Sequence, residues 1–300
     1  MAGSMRRLLI LATVAVTMAI ALAGCVPPSR YVSLGDSYTA GPLIAAQRRD
    51  PAGCLRSTNN YPSLVAPSLT TTEHRDPSCS GAQTKDMEAP QDVDPDGPNP
   101  PQFNSLTADT TVVTLGIGGN DIGFTEIAKT CGQKGVNDPG GTPCKAFYTA
   151  GGTDQIAQRI NDTAPKVRAV LAEIKRRSPR AKVFLVGYPA IIPETLTLAS
   201  WSACYPVLPI AFGDMGWLRD DVEKRLNSML RSEATAAGVT YVDTYTSSIG
   251  HDACQAPVVR WVEPVVPADG AAPVHPNARG MEGTKVAVLA SMRANGVPTR

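Results

Sequence analysis

The sequence predicts an α/β fold, a parallel sheet covered by helices, and three observations carry that prediction. Short aliphatic or β-branched runs bounded by Gly, Asp or Asn recur along the chain, the pattern of strands buried on both faces. Amphipathic helical segments alternate with them, and repeated β-then-α order makes neighbouring strands parallel. The chain shows no internal repeat. Its 300 residues, 43% hydrophobic and 18% charged, can bury a large core and do not have the composition of a disordered chain.

Taken in order, residues 1–24 stand apart as a leader. Arg6 and Arg7 form a basic start, and the apolar run from Leu8 to Ala23 is short for a spanning helix, which needs about 20 residues. The run ends in L-A-G-C, Leu22 to Cys25, which resembles a bacterial lipobox and would make Cys25 the lipidated first residue of a mature lipoprotein. An ordinary secreted protein with a chance Cys at the cleavage region is the alternative. Residues 25–29 then form a short tether, and residues 30–300 form one domain. The expected location is outside the cell membrane, lipid-anchored on its outer face or secreted.

Four segments read as buried strands: Tyr31–Leu34, Thr111–Gly116, Lys182–Gly187 and Val239–Val242. One helix is expected from about Asp154 to Arg177, with Ile156, Ile160, Val167, Val170, Leu171 and Ile174 on one face. A second starts near Trp217 and stops at Gly238, and a third covers about Arg279 to Arg293. The Pro-rich stretch 88–102 reads as a surface loop inside the domain. The stretches 131–152 and 201–213 also read as long loops. With the loop after Gly41, the regions around Cys131–Cys144 and Cys204 are expected to wall the site.

Charge and cysteines narrow the chemistry. Lys and Arg number 28 against 27 acidic residues, a balance with no electrostatic footprint for nucleic acid. Setting Cys25 aside leaves six cysteines, and an even count in an exported chain argues for three disulfides. Six cysteines allow 15 connectivities, among which sequence alone does not choose, though sequential pairing is simplest. No C-x-x-C pair or histidine cluster supports a metal site.

An exported α/β domain without nucleotide motifs suggests a hydrolase. No G-x-S-x-G elbow is present, which argues against the α/β-hydrolase fold. Ser37, in G-D-S-Y, sits directly after the first strand, where side chains emerge at the sheet's carboxyl edge. The plain reading of such a Ser is a helix cap. His74 and His251 read as loop residues. His275, in V-H-P-N before the last helix, sits where a helix dipole favours neutral imidazole, with Asn277 as a cap. G-G-N-D, Gly118 to Asp121, follows the Thr111–Gly116 strand. It is a common turn sequence, yet Asn120 could donate its amide to an oxyanion at the same edge.

The four blocks together carry a resemblance. G-D-S-Y, C-S-G-A-Q-T at Cys79–Thr84, G-G-N-D and V-H-P-N occur in the order of the four blocks of the SGNH, or GDSL, hydrolases. P-P-Q-F-N-S-L and T-V-V-T-L-G-I-G-G-N-D-I-G-F look like the secreted bacterial lipase and esterase branch with three disulfides. The resemblance spans about Arg30 to Arg293. It implies a flavodoxin-like three-layer α/β/α fold and disulfides Cys54–Cys79, Cys131–Cys144 and Cys204–Cys254. It implies hydrolysis of carboxylic esters of lipids or short acyl groups, with Ser37 as nucleophile and His275 as base. The backbone N–H groups of Ser37 and Gly81 and the side chain of Asn120 would form the oxyanion hole. No cofactor or metal is implied, and a monomer is expected, with a lipid anchor as its tie to the membrane. Two other uses of the fold stay open: acyl transfer or deacetylation on cell-envelope glycans, and ligand binding by an inactive surface lipoprotein.

One departure stands out. Many family members place an Asp three residues before the catalytic His, and Ala272 occupies that position here. The expectation is a Ser-His dyad with the Ala272 carbonyl orienting His275, and a triad with Asp269 as the alternative.

Overall fold

The computed structural model describes residues 29–266 and 270–300. The leader, Cys25 and Asp269 lie outside the described residues. Five parallel strands form one sheet: β1 (Arg30–Gly35), β2 (Glu73–Arg75), β3 (Thr110–Gly116), β4 (Lys182–Val186) and β5 (Thr240–Val242). Their order across the sheet is β2-β1-β3-β4-β5, the flavodoxin-like order, and its topological switch lies between β1 and β3.

The period-2 alternation of the central strands divides the core in two. Val32, Leu34, Val113, Leu115, Val183 and Leu185 face one layer, while Tyr31, Val112, Phe184 and Val186 face the other. The first layer holds α3 (Gln155–Arg177) and α4 (Arg225–Ala237); the second holds α5 (Ala278–Ala294) and the short helix Tyr61–Val65. Both faces are therefore apolar, which is why these strands read as continuous hydrophobic runs. The helix ends follow local chemistry. Asp154 caps α3 by accepting from the Ala157 N–H at 2.8 Å, Gly238 ends α4 at φ +63°, and Asn277 caps α5 through the Arg279 and Gly280 N–H groups.

Two regions differ from expectation. The stretch 131–152 is not simply a loop: Cys131 lies inside the helix α2 (Phe124–Asn137), and Pro143–Tyr148 is helical. The buried residues of α2 are Ile127, Cys131 and Gly135, a face too small-sided to show an apolar period. In 201–213, Leu198–Cys204 is helical, and the helix preceding α4 begins at Phe212, then passes through a π-helical stretch, Leu218–Lys224. Three disulfides tie these excursions down: Cys54–Cys79, Cys131–Cys144 and Cys204–Cys254. Loops of such lengths contribute roughly 3–4 kcal/mol each in the chain-entropy model.

Candidate active site

β1 ends at Gly35, where a Cβ would stand 2.2 Å from the Thr39 hydroxyl and 2.7 Å from the Gly116 carbonyl oxygen, so only glycine allows β1 and β3 to close there. The Gln102 side chain clamps that end by accepting from the Gly35 N–H at 2.8 Å and donating to its carbonyl at 2.9 Å. Asp36 follows as N-cap of a single turn, α1 (Ser37–Ala40), and accepts from the Tyr38 N–H at 2.9 Å. Ser37 is thus the first residue of the helix and not its cap, the role its plain reading gave it and Asp36 takes, and it faces a cavity of about 460 Å³ at the switch point of the sheet.

His275 reaches the same cavity from the segment that leads into α5. Its Nε2 lies 2.8 Å from the Ser37 Oγ, and its Nδ1 lies 2.7 Å from the Pro273 carbonyl oxygen. Because a carbonyl only accepts, Nδ1 carries the proton and Nε2 is left to take one from the hydroxyl. The expected orienting group was one residue out. The Ala272 carbonyl already accepts the His275 backbone N–H at 3.2 Å, closing a turn that leaves the Pro273 carbonyl facing the ring. Burial pushes the imidazole below its ordinary value, and the Pro273 carbonyl pulls it partly back, so the ring is neutral at neutral pH. Burial is the larger cause, where the sequence pointed to the helix dipole. Val274 sits at φ +60°, unusual for a β-branched residue, and its carbonyl accepts from the Tyr38 hydroxyl at 2.6 Å.

The turn after β3 completes the polar wall. Asn120 lines the cavity and spends one amide N–H on the Ala82 carbonyl, at 2.9 Å. The Gln83 amide returns to the Asn120 carbonyl at 3.0 Å, and Asp121 accepts from the Thr84 N–H at 3.0 Å. These bonds lock the 79–84 loop, anchored by Cys79, against the G-G-N-D turn. Gly81 stands in that loop at φ +79°, exposed, and is not among the residues lining the cavity.

One group escaped the sequence reading. Tyr188, after β4, donates to the Asp36 carboxylate at 2.5 Å and accepts from the Gly119 N–H at 2.8 Å, so it bridges the Ser37 turn to the Asn120 turn. Burial raises the Asp36 carboxyl to about 7, against the lowering effect of the Tyr188 and Tyr38 bonds. The only signal was position: V-G-Y-P places Tyr188 at the same strand edge.

The remaining walls are mostly apolar, with Thr125, Lys129, Gln133 and Glu223 as their polar members. Phe124, Ala128, Gly132 and Val136 form a stripe along α2, faced by Ile191, Pro209, Leu226 and Val265. The expected contributions from around Cys131–Cys144 and Cys204 arrive through α2 and Pro209, whereas the loop after Gly41 does not line the cavity. Among the described residues no cluster of His, Cys, Asp and Glu could hold a metal ion.

Residues 33–282 match the model of the GDSL-like lipase/acylhydrolase family. The chain is 40% identical over 258 residues to Lipase 2 of Streptomyces coelicolor, covering 85% of this chain and 82% of that protein. It is 32% identical over 263 residues to an esterase of Streptomyces scabiei, covering 77% and 75%. Among solved structures, an extracellular lipase from Streptomyces rimosus superposes with a TM-score of 0.69 at 25% identity, over 88% of this chain and 99% of that one. A phospholipase A1 from Streptomyces albidoflavus gives 0.70 at 24% identity, over 88% and 100%, a likeness of fold.

Proposed function

We propose, from the premise that this chain belongs to the GDSL-like lipase/acylhydrolase family and is a carboxylic ester hydrolase, that Ser37 and His275 work as a dyad without a carboxylate. One observation carries the reading: Nε2 of His275 stands 2.8 Å from the Ser37 Oγ while Pro273 holds Nδ1 at 2.7 Å. His275 takes the hydroxyl proton as Oγ attacks the ester carbonyl, then gives it to the leaving alcohol. Water, activated the same way, releases the acid. The Ser37 N–H, the free amide N–H of Asn120 and the Gly81 N–H are the donors for the oxyanion, and the 79–84 loop bonds support that assignment by keeping the two turns in register.

The acyl chain lies along α2, whose small Ala128 and Gly132 leave room between Phe124 and Val136. A cavity of about 460 Å³ with mostly apolar walls suits a lipid acyl chain better than an acetylated glycan. The disulfides and the likeness to an extracellular lipase support export, and L-A-G-C after the apolar leader supports lipidation of Cys25 and a mature domain over 30–300. Ser37→Ala tests the reading. Turnover of p-nitrophenyl esters should be abolished with an unchanged circular dichroism spectrum, and substantial residual turnover would refute the nucleophile.

A further inference from the structure

Two glycines of α2, Gly132 and Gly135, meet their surroundings differently. A Cβ on Gly135 would stand 2.4 Å from the Pro209 carbonyl oxygen and 2.8 Å from the Ala211 N, so backbone packs on backbone there and only glycine allows it. The Tyr205 hydroxyl donates to the Gly135 carbonyl at 3.0 Å and secures the same contact. Gly132 is under no such constraint. Beyond the helix's own backbone, a Cβ there would have one neighbour within 4 Å, the Pro209 Cγ at 3.9 Å, an ordinary contact distance. Its backbone is helical and its φ is not positive, so conformation asks for no glycine either. Glycine inside a helix is nevertheless less stable than alanine. The space that a longer side chain would enter is the cavity shared with Ser37 and His275, which Gly132 and Pro209 both line.

Both walls are pinned around that position. Cys131, next to Gly132, is bonded to Cys144. The Cys204–Cys254 bond and the Trp201 Nε1–H, which donates to the Ile210 carbonyl at 2.9 Å, hold the segment that carries Pro209. The place of Gly132 along the cavity follows from the helix. α2 starts beside the site, where the Phe124 N–H donates to the Gly119 carbonyl at 3.0 Å, next to Asn120. At 1.5 Å per residue, Gly132 lies about 12 Å further along the axis. An acetyl group on Ser37 ends well short of that point, whereas the chain of a long fatty acid extends past it toward Val136.

We propose that Gly132 sets the acyl-chain length the enzyme accepts: its missing side chain keeps the cavity open toward Val136, so that chains reaching past it are hydrolysed. The inference rests on the catalytic reading of Ser37 and deepens it. A side chain at 132 takes volume that the distal part of a long chain needs, while the ester carbonyl and its first carbons lie before it. In a hydrophobic pocket, a misfit of a methylene or so is worth about 10- to 200-fold in kcat/KM.

The test compares kcat/KM on p-nitrophenyl palmitate and p-nitrophenyl acetate in wild type, Gly132→Ala and Gly132→Leu. The palmitate-to-acetate ratio should fall by about 10- to 100-fold in Gly132→Leu and by a smaller factor in Gly132→Ala. Gly132→Ala should also melt about 1–3 °C higher, since alanine suits a helix interior better. Should the Leu variant fail to fold, a lower ratio together with a higher melting temperature in Gly132→Ala supports the proposal, because a glycine needed for packing would lose stability on substitution. Four results would overturn it: no palmitate turnover in wild type, a wild-type ratio in both variants, an equal fall on both esters, or a lower melting temperature in Gly132→Ala. Acetate hydrolysis that persists in Ser37→Ala would instead overturn the catalytic reading, so the two failures are distinguishable.

Discussion

Ser37 and Asn120 take their positions from adjacent strands of the sheet, whereas His275 depends on a segment that follows the last strand and leans on side chains. On the nucleophile side the fasteners are mostly neutral: Asp36 N–H to the Gly116 carbonyl at 2.9 Å, the Gln102 clamp on Gly35, and the amide exchange between the Asn120 turn and the 79–84 loop. On the base side a buried ion pair does the fastening. Arg260 lies 2.5 Å from Glu263, both almost fully buried, and the Asn277 amide donates to the same Glu263 at 2.8 Å. Glu263 then exchanges backbone bonds with Val274 and His275, at 3.0 and 2.9 Å. The nucleophile is placed by the fold, the base by a polar network that the fold merely admits. Damage on the two sides should therefore look different: lost catalysis with retained stability on one, lost stability on the other.

Asn120→Ala should show the first kind. One oxyanion donor is removed, so kcat should fall by roughly 10²–10³ with a smaller change in KM, while the lost bond to the Ala82 carbonyl costs only about 1 kcal/mol of stability. A change confined to KM would make Asn120 a binding residue and blur the contrast. Glu263→Gln should show the second kind. It leaves the Arg260 guanidinium buried without its charge partner, a loss of about 3–5 kcal/mol in a denaturant titration. A variant as stable as wild type would mean that the base-side network does not anchor the His275 segment.

The pH profile tests the base side directly. His275 must be neutral to accept the Ser37 proton, and burial disfavours the imidazolium, so its folded value lies below the ordinary 6.5. The rate should fall as acid protonates the ring, with the midpoint of that fall in kcat/KM on a soluble short-chain ester below 6.5. A midpoint above 6.5 would require a nearby carboxylate to stabilise the charged ring.

Much of this was legible in the sequence for a physical reason. β1, β3 and β4 lie between two helical layers, so their runs are apolar throughout and stand out. β2 was not visible, since Glu73, His74 and Arg75 form a three-residue edge strand with no buried side chain. α2 was hidden because its inner face is built on Cys131 and Gly135; a Cβ on Gly135 would stand 2.4 Å from the Pro209 carbonyl oxygen. At the site, Ser37, Asn120 and His275 were legible as blocks, and they meet in one cavity. The Tyr188 bridge and the choice of Pro273 over Ala272 were not. Both depend on backbone direction across contacts between distant segments or within a tight turn, which residue type does not encode.

The claim most open to direct contradiction is that the Pro273 carbonyl stands where a triad would have a carboxylate. The Asp269 side chain, the nearest upstream acid in the chain, is the one to remove. kcat for Asp269→Asn should be measured on the same ester as Ser37→Ala. With the carbonyl orienting His275, kcat should change by less than about tenfold, small beside the loss of the nucleophile. A fall near 10⁴, the order seen when a triad acid becomes its amide, would put Asp269 in the site and contradict the dyad.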